Sequence, residues 1–208
     1  MSKNENSVEK IISIFGDLLD SPLPSVTDIW EVAQAKLNSG DLKEANKCYQ
    51  LNHLLHNSHV PNSSKIGKGV KFAYGGIGLI IHNDCEIRDY AVIGSNVTIG
   101  GRARSKYRIS EDGKRVYVPL IDKYAYVATG AVILGGVTIG SMSIVGANAV
   151  VIQDVPHLSI VAGSPSKIIG KITVDNCLSY KSTFSIFRNV SDGAYVDIVK
   201  SIEQSKSL

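Results

Sequence analysis

The chain has 208 residues, is 44% hydrophobic, and carries 22 Lys/Arg against 19 Asp/Glu, for a formal net charge of +3. That is enough chain for one good core plus an accessory segment, and so mild a charge, with no Lys/Arg block, argues against a nucleic-acid partner. No apolar run reaches the roughly 18 residues of a membrane span, the start MSKNENSVEK does not read as a signal peptide, and three distant cysteines (Cys48, Cys85, Cys177) fit a reducing cytoplasm better than a disulfide framework or zinc site.

Residues 1–60 form the first expected unit, a helical segment. Apolar residues recur at helical spacing: Ile11, Phe15 and Leu18, then Trp30, Ala33 and Leu37, then Leu42, Ala45 and Tyr49. SPLPS separates the first two helices and NSGD the next two, with Asp41 and Glu44 spaced as a capping box. His53, His56 and His59 lie on or just after the last helix, and without a nearby acid or cysteine cluster they read as a solvated face.

From residue 66 the helical period gives way to one of six. Aliphatic residues stand at Ile81, Ile87, Ile93 and Ile99, and again at Ile121, Val127, Ile133, Ile139, Val145 and Val151. Four residues after each comes a small or aliphatic one, such as Cys85, Ala91, Ala125 or Ala149. A helix cannot keep a period of six on one face, whereas short strands joined by tight turns can, with one large and one small side chain inward per hexad. Gly94, Gly140 and Gly146 are expected at turns that need unusual backbone angles.

Two interruptions follow from the register. The step from Ile99 to Ile121 is far longer than one hexad, and the frame is restored when residues 102–117 are left out, so these are expected to leave the coil as a loop. That loop, RARSKYRISEDGKRVY, holds six Arg/Lys and two acids, and its Asp112-Gly113 pair predicts a hairpin turn. The step from Phe72 to Ile81 exceeds a hexad by three, and the surplus is absorbed near YGGIG (74–78), where glycines let the backbone bulge.

The hexads IGSNVTIGG and ILGGVTIGSMSIVGANAVV, with the closing VAGSPSKIIGK, resemble the hexapeptide-repeat acetyltransferases over about residues 60 to 172. The order YGGIGLIIH, VTIGG, loop, VATGAVILGGVTIG, AGSPSK is most similar to the serine acetyltransferases and their surface-polysaccharide relatives. The resemblance implies a mostly β protein: a left-handed parallel β-helix over 61–172, an N-terminal α-helical segment, and a short C-terminal extension over 173–208. It also implies a homotrimer with acetyl-CoA bound between subunits. The extension, through FSIFRNV and AYVDIVKSIEQ, is expected to supply a strand and a short helix that cap the open end of the coil.

Acetyl transfer to a hydroxyl needs a base at the acceptor oxygen, and His82 is the histidine within the hexads. It matches the GIVIH string of the polysaccharide-type relatives and is the expected general base. Tyr74, Asn83 and Asp84 flank it as candidate acceptor contacts, with Asp84 placed to orient the ring. The resemblance assigns the pantetheine arm to small residues at Gly100, Gly101, Ala128, Gly146 and Ala147, and the adenine and phosphate end to Ala162, Gly163 and Lys167. No metal is expected, and His157 reads as a loop residue. Serine acetyltransferases carry an Asp-His pair where Tyr74-Gly75 stand, and a second histidine in the loop that residues 102–117 lack. The expected acceptor is therefore a sugar hydroxyl of a bacterial surface polysaccharide, with acetyl passed directly. Serine or another small molecule is the alternative within the enzyme class, and a non-catalytic β-helix scaffold the alternative outside it. A zinc carbonic anhydrase and a sugar nucleotidyltransferase are disfavoured, for want of three coil histidines and of a glycine-rich nucleotide loop.

Overall fold

The computed structural model describes residues 9–10, 12–13, 15–16, 20–102, 106–110 and 112–205. The Ile11 and Leu18 positions of the first expected helix lie outside them. Two helices follow, α1 (Val26–Asn38) and α2 (Leu42–His56). Ser25 and Asp28 close a capping box at the start of α1, and the Asp41 side chain accepts the Glu44 N–H at 3.2 Å at the start of α2.

The rest of the chain winds into a three-faced prism of short parallel strands. The first face holds Lys65–Ile66, Glu86–Ile87, Leu120–Ile121 and Thr138–Ile139. The second holds Lys71–Phe72, Val92–Ile93, Tyr126–Val127, Ile144–Val145 and Ser159–Ala162, and the third Ile80–Ile81, Thr98–Gly100, Val132–Leu134 and Val150–Val151. Partners on successive coils, such as Ile133 and Val151, are separated by three hexads, one for each face. Ile99 pairs with Ile133 across a longer stretch of chain, and the surplus over three hexads is the extruded loop. Ile66 pairs with Ile87, and the smaller surplus there is the bulge.

Every large hexad position from Ile81 to Val151 points inward and is at most 1% exposed. Burying one such side chain is worth roughly 1.5–3 kcal/mol, so the column they form is the main stabilising element. The corner glycines act differently from expectation. Gly94 and Gly140 have no positive φ; a Cβ there would lie 2.4 Å from Thr129 N and 2.5 Å from His157 N, so glycine is needed because the next coil passes so close. The left-handed turns are instead taken by Tyr90, Asn96, Tyr124, Met142, Asn148 and Leu158 among others.

The bulge at Ala73–Gly76 turns through Tyr74 (φ 53°), Gly75 (φ 74°) and Gly76 (φ 94°). It forms the seat of the helical segment. The Ser58 hydroxyl donates to Gly76 O at 2.6 Å and accepts the Leu79 N–H at 3.0 Å, while a Cβ on Gly76 would lie 2.6 Å from the Val26 side chain.

The loop returns across the first face as a hairpin, with Arg108–Ile109 antiparallel to Arg115–Val116 around Gly113 (φ 78°). Arg108, its side chain only 9% exposed, anchors it: Nε donates to Val118 O at 2.9 Å and Nη1 lies 3.5 Å from Glu86 Oε2. Glu86 Oε1 accepts Arg88 Nε at 2.9 Å, Arg88 Nη1 reaches Asp122 Oδ1 at 3.4 Å, and Asp122 Oδ2 accepts the Ser141 hydroxyl at 2.7 Å. Buried charge is tolerated here because each carboxylate is paired. Lys106 pairs with Asp154 at the loop's start.

The C-terminal extension differs from the expected cap. Lys167–Lys171 runs antiparallel along Ser159–Ala162, covering that edge. FSIFRNV forms a short 3-10 turn at Ser185–Phe187 instead of a strand, and α3 (Asp192–Gln204) follows. Phe184, Phe187, Tyr195, Val199 and Ile202 pack with Tyr124, Tyr126, Ile144 and Ile160 on the outer side of the second face. Aromatic and aliphatic residues point outward on that face, and covering them decides where the extension lies.

Two stability measurements follow. In urea titration Ile133→Ala should cost about 2–5 kcal/mol, whereas Ile80→Ala, at a position 53% exposed, should cost far less. Arg108→Ala should cost about 1–3 kcal/mol and make the hairpin's lysines and arginines cut faster by trypsin; an unchanged cleavage rate would show that the hairpin is not held by this contact.

Candidate active site

His82 stands at the corner between the third and first faces. Its backbone N–H donates to Ile99 O at 2.9 Å, which keeps it in register with Gly100 on the coil above. Its inward neighbour Ile81 is fully buried, so alternation turns the imidazole outward, 40% exposed.

The ring's environment fixes its proton. His82 Nδ1 accepts the Asp84 backbone N–H at 3.2 Å, which places the proton of the neutral ring on Nε2. Asp84 Oδ2 lies 3.8 Å from the same Nδ1.

His82, Asn83, Asp84 and Gly101 line one wall of a cavity of about 500 Å³, and the hairpin residues Arg108, Ser110, Asp112, Lys114 and Arg115 line the other. The basic loop is thus a cover beside His82. Two bonds hold its tip: the Lys114 ammonium lies 2.6 Å from Asp112 Oδ2, and the Ser110 hydroxyl donates to Asp112 Oδ1 at 2.5 Å. Those contacts depress the exposed Asp112 carboxyl to about 2. Arg115 sits over the Tyr107 ring, 4.7 Å from its centroid.

Cys85, three residues from His82, points into the core, where burial pushes its thiol far above the usual range. It offers no thiolate for a covalent relay. Among the described residues no group of three or more His, Cys, Asp or Glu is placed to hold a metal ion.

The remaining residues expected at the site divide between two corners. Gly100 and Gly101 adjoin His82. Ala128, Gly146 and Ala162 stack with Gly94 at the corner between the second and third faces: Gly94 N–H donates to Val127 O at 2.7 Å, Ala128 N–H to Val145 O at 2.9 Å, and Gly146 N–H to Val161 O at 2.8 Å. Ala147 is exposed just beyond, Gly163 (φ 95°) turns the chain at the top of this column, and Lys167 is exposed on the strand that follows. Within one protomer the third face separates this column from His82. Tyr74, 79% exposed on the bulge, does not line the cavity.

Of the N-terminal histidines, His53 is exposed as expected, whereas His56 and His59 depart from a solvated face. His56 is buried and its Nε2 bonds Pro24 O at 2.8 Å, while His59 Nδ1 bonds the Tyr49 hydroxyl at 2.8 Å. Burial, then the nearby imidazoles of His53 and His82, hold the His59 ring below the usual histidine value. The proximity of His59 to His82 depends on the bulge that shifts one coil against the next, and residue spacing alone does not disclose it. His157 is a loop residue as expected, its Nδ1 accepting the Ser141 N–H at 2.8 Å.

No family model matches the chain. Among curated proteins, the serine acetyltransferase of Bacillus subtilis (strain 168) is 39% identical over 94 residues, 45% of this chain and 40% of that protein. The serine acetyltransferase of Staphylococcus aureus (strain Mu50 / ATCC 700699) is 33% identical over 143 residues, 68% of this chain and 63% of that protein. The chain thus spans less than two thirds of the length of these relatives. Among solved structures, serine acetyltransferase from Brucella abortus strain S19 in complex with coenzyme A matches with a TM-score of 0.58 at 26% identity, over 70% of this chain and 54% of that one. A serine acetyltransferase in complex with cysteine matches with a TM-score of 0.62 at 22% identity, over 77% and 57%, a likeness of fold alone. The chain is a hexapeptide-repeat, left-handed β-helix protein related to the serine acetyltransferases.

Proposed function

We propose that this protein is an acetyl-CoA-dependent O-acetyltransferase in which His82 takes the proton of the acceptor hydroxyl. The observation that carries the reading is the half-exposed imidazole on a cavity wall, with a carboxylate in reach of one ring nitrogen and Gly100 and Gly101 beside it. The acceptor oxygen attacks the thioester carbon while Nε2 removes its proton; the tetrahedral intermediate collapses, and the expelled CoA thiolate takes that proton back. For Nε2 to act as base, Nδ1 must carry the ring proton, which requires the ring to leave the Asp84 N–H and turn to the Asp84 carboxylate 3.8 Å away, with the proton exchanged through solvent. Transfer is direct, since the nearest thiol, Cys85, faces the core.

Acetyl-CoA as donor is supported by the coenzyme A complex of a structural neighbour. Gly100 and Gly101 would meet the thioester end, the column Ala128, Gly146 and Ala147 the pantetheine arm, and Ala162, Gly163 and Lys167 the adenine and phosphate end. Because the third face lies between the two corners, a second copy of the chain would complete the site, as in the homotrimer that the resemblance implies.

Serine is the acceptor that the relatives' names favour. A sugar hydroxyl of a surface polysaccharide, capsule or O-antigen, is the second reading. Tyr74 and Gly75 favour it, standing where serine acetyltransferases carry an Asp-His pair. In either case Asn83, on the cavity wall, is the neighbouring acceptor contact. Among the described residues no helix is long and apolar enough to cross a membrane.

The test is thiol release from acetyl-CoA with L-serine and with nucleotide sugars. His82→Ala should lower kcat by about 10²- to 10⁴-fold while leaving CoA binding intact. Asp84→Asn should lower kcat less, with little change in the acceptor KM. Turnover unaltered in His82→Ala would remove the proposed base, and no release with any acceptor together with no CoA binding would leave a scaffold role.

A further inference from the structure

His82 has one flank in the cavity and the other on the third face. The register gives that face an outward column: His59 pairs with Ile80, Ile80 with Thr98, Thr98 with Val132, and Val132 with Val150. Val60, next to His59, is fully buried, so alternation turns the His59 ring outward, where it lies half-buried beside α2. His59 is the one titratable side chain of the column. Strands on successive coils lie about 4.8 Å apart and rise about 3.3 Å per residue, which sets His59 and His82 roughly 8 Å apart at Cα, a span that one thioester group can bridge.

The ring is aimed and held uncharged. The Tyr49 hydroxyl, from α2, meets His59 Nδ1 at 2.8 Å, and the Tyr49 and His53 ring centroids lie 5.7 and 5.6 Å from that of His59. A phenol is a better donor than an imidazole N–H, and an imidazole nitrogen a better acceptor than a phenol oxygen. The Tyr49 O–H therefore donates to Nδ1, and the neutral ring carries its proton on Nε2. Burial, and then the imidazoles of His53 and His82, keep the ring below the usual histidine value, so it is neutral near pH 7. His59 thus presents a neutral N–H on the third-face side of His82, the side from which a thioester arrives when CoA lies between the two corners. Such a group does not take the acceptor's proton, but it can hold the negative charge that develops on the carbonyl oxygen.

We propose that His59 is the oxyanion donor of the transfer site, with Tyr49 as its positioning residue. As the acceptor oxygen bonds to the thioester carbon, the carbonyl π pair moves onto its oxygen and is held by His59 Nε2–H. When that pair returns, the C–S bond breaks and the thiolate leaves, and His59 keeps its proton throughout. His82 takes and returns the acceptor's proton, so the inference deepens that reading and rests on it. It also makes α2 part of the catalytic unit.

The test is the carbonyl stretch of bound acetyl-CoA, read by infrared spectroscopy with carbon-13 at the carbonyl, together with thiol release. A hydrogen bond to the carbonyl lowers the stretch, so wild type and His82→Ala should both show a downshift that His59→Ala loses. His59→Ala should also lower kcat by about 10²- to 10³-fold at unchanged affinity for S-ethyl-CoA, a thioether with no carbonyl to hold. Tyr49→Phe, which removes the hydroxyl and keeps the ring, should weaken the downshift and lower kcat at unchanged Tm, while His59→Gln, which retains an N–H donor, should recover part of both. The wild-type spectrum needs no variant, so an unshifted carbonyl there overturns the donor even where His59→Ala fails to fold, as does a downshift that survives His59→Ala. In either case thiol release that vanishes in His82→Ala leaves acetyl transfer standing; a wild type that neither binds acetyl-CoA nor releases thiol overturns the donor and the transferase reading together.

Discussion

Each coil of the prism is built around aliphatic side chains that must point inward at every sixth position. Ile81, Ile99, Ile133 and Val151 stack in one inner column, with Ile87, Ile121 and Ile139 in another. Because the inward positions are fixed, the residue following each inward aliphatic falls at a corner of known height. His82 follows Ile81, Arg88 follows Ile87, and Asp122 follows Ile121. The core thereby fixes the height of the imidazole and of the buried ion network before any of those groups contacts another.

The network then determines what surrounds His82. Glu86 accepts from Arg88, which belongs to its own coil, and is ion-paired with Arg108, which belongs to the hairpin. A paired carboxylate at this depth costs little, whereas an unpaired one is expensive, so the same contact that neutralises Glu86 also pins the cover over the cavity. The aromatic extension occupies the second face and the hairpin crosses the first, which leaves the third face open between His82 and the column of small residues. That distribution is what a site completed by a second copy of the chain requires.

Much of this is legible in the sequence, for physical reasons that differ by region. The coil is readable because its inward residues are local in sequence and periodic. The extruded loop and the bulge emerge from the same frame, and the pairings of Ile99 with Ile133 and of Ile66 with Ile87 agree with both. Asp112-Gly113 announces its turn because the backbone angles at Gly113 demand glycine. Contacts that depend on distant segments are not readable. The extension packs on the side of the prism because Tyr126, Ile144 and Ile160 point outward there, and nothing within FSIFRNV signals that surface. Gly94 and Gly140 look like turn residues in the sequence, yet they are glycines because of atoms on the next coil. The Tyr49–His59 contact and the approach of Trp30 to the first face likewise join residues that only the docking of the helices brings near the prism.

The most direct test of the central claim is a crystal structure of the protein with CoA bound. If His82 is the transfer centre, the CoA sulfur will lie within about 3–4 Å of a His82 ring nitrogen, near-attack spacing for proton return. Its pantetheine arm will run from Gly100 of one protomer along Ala128 and Gly146 of a neighbour. A sulfur seated away from His82, with the imidazole still bonded to the Asp84 N–H, would contradict the account.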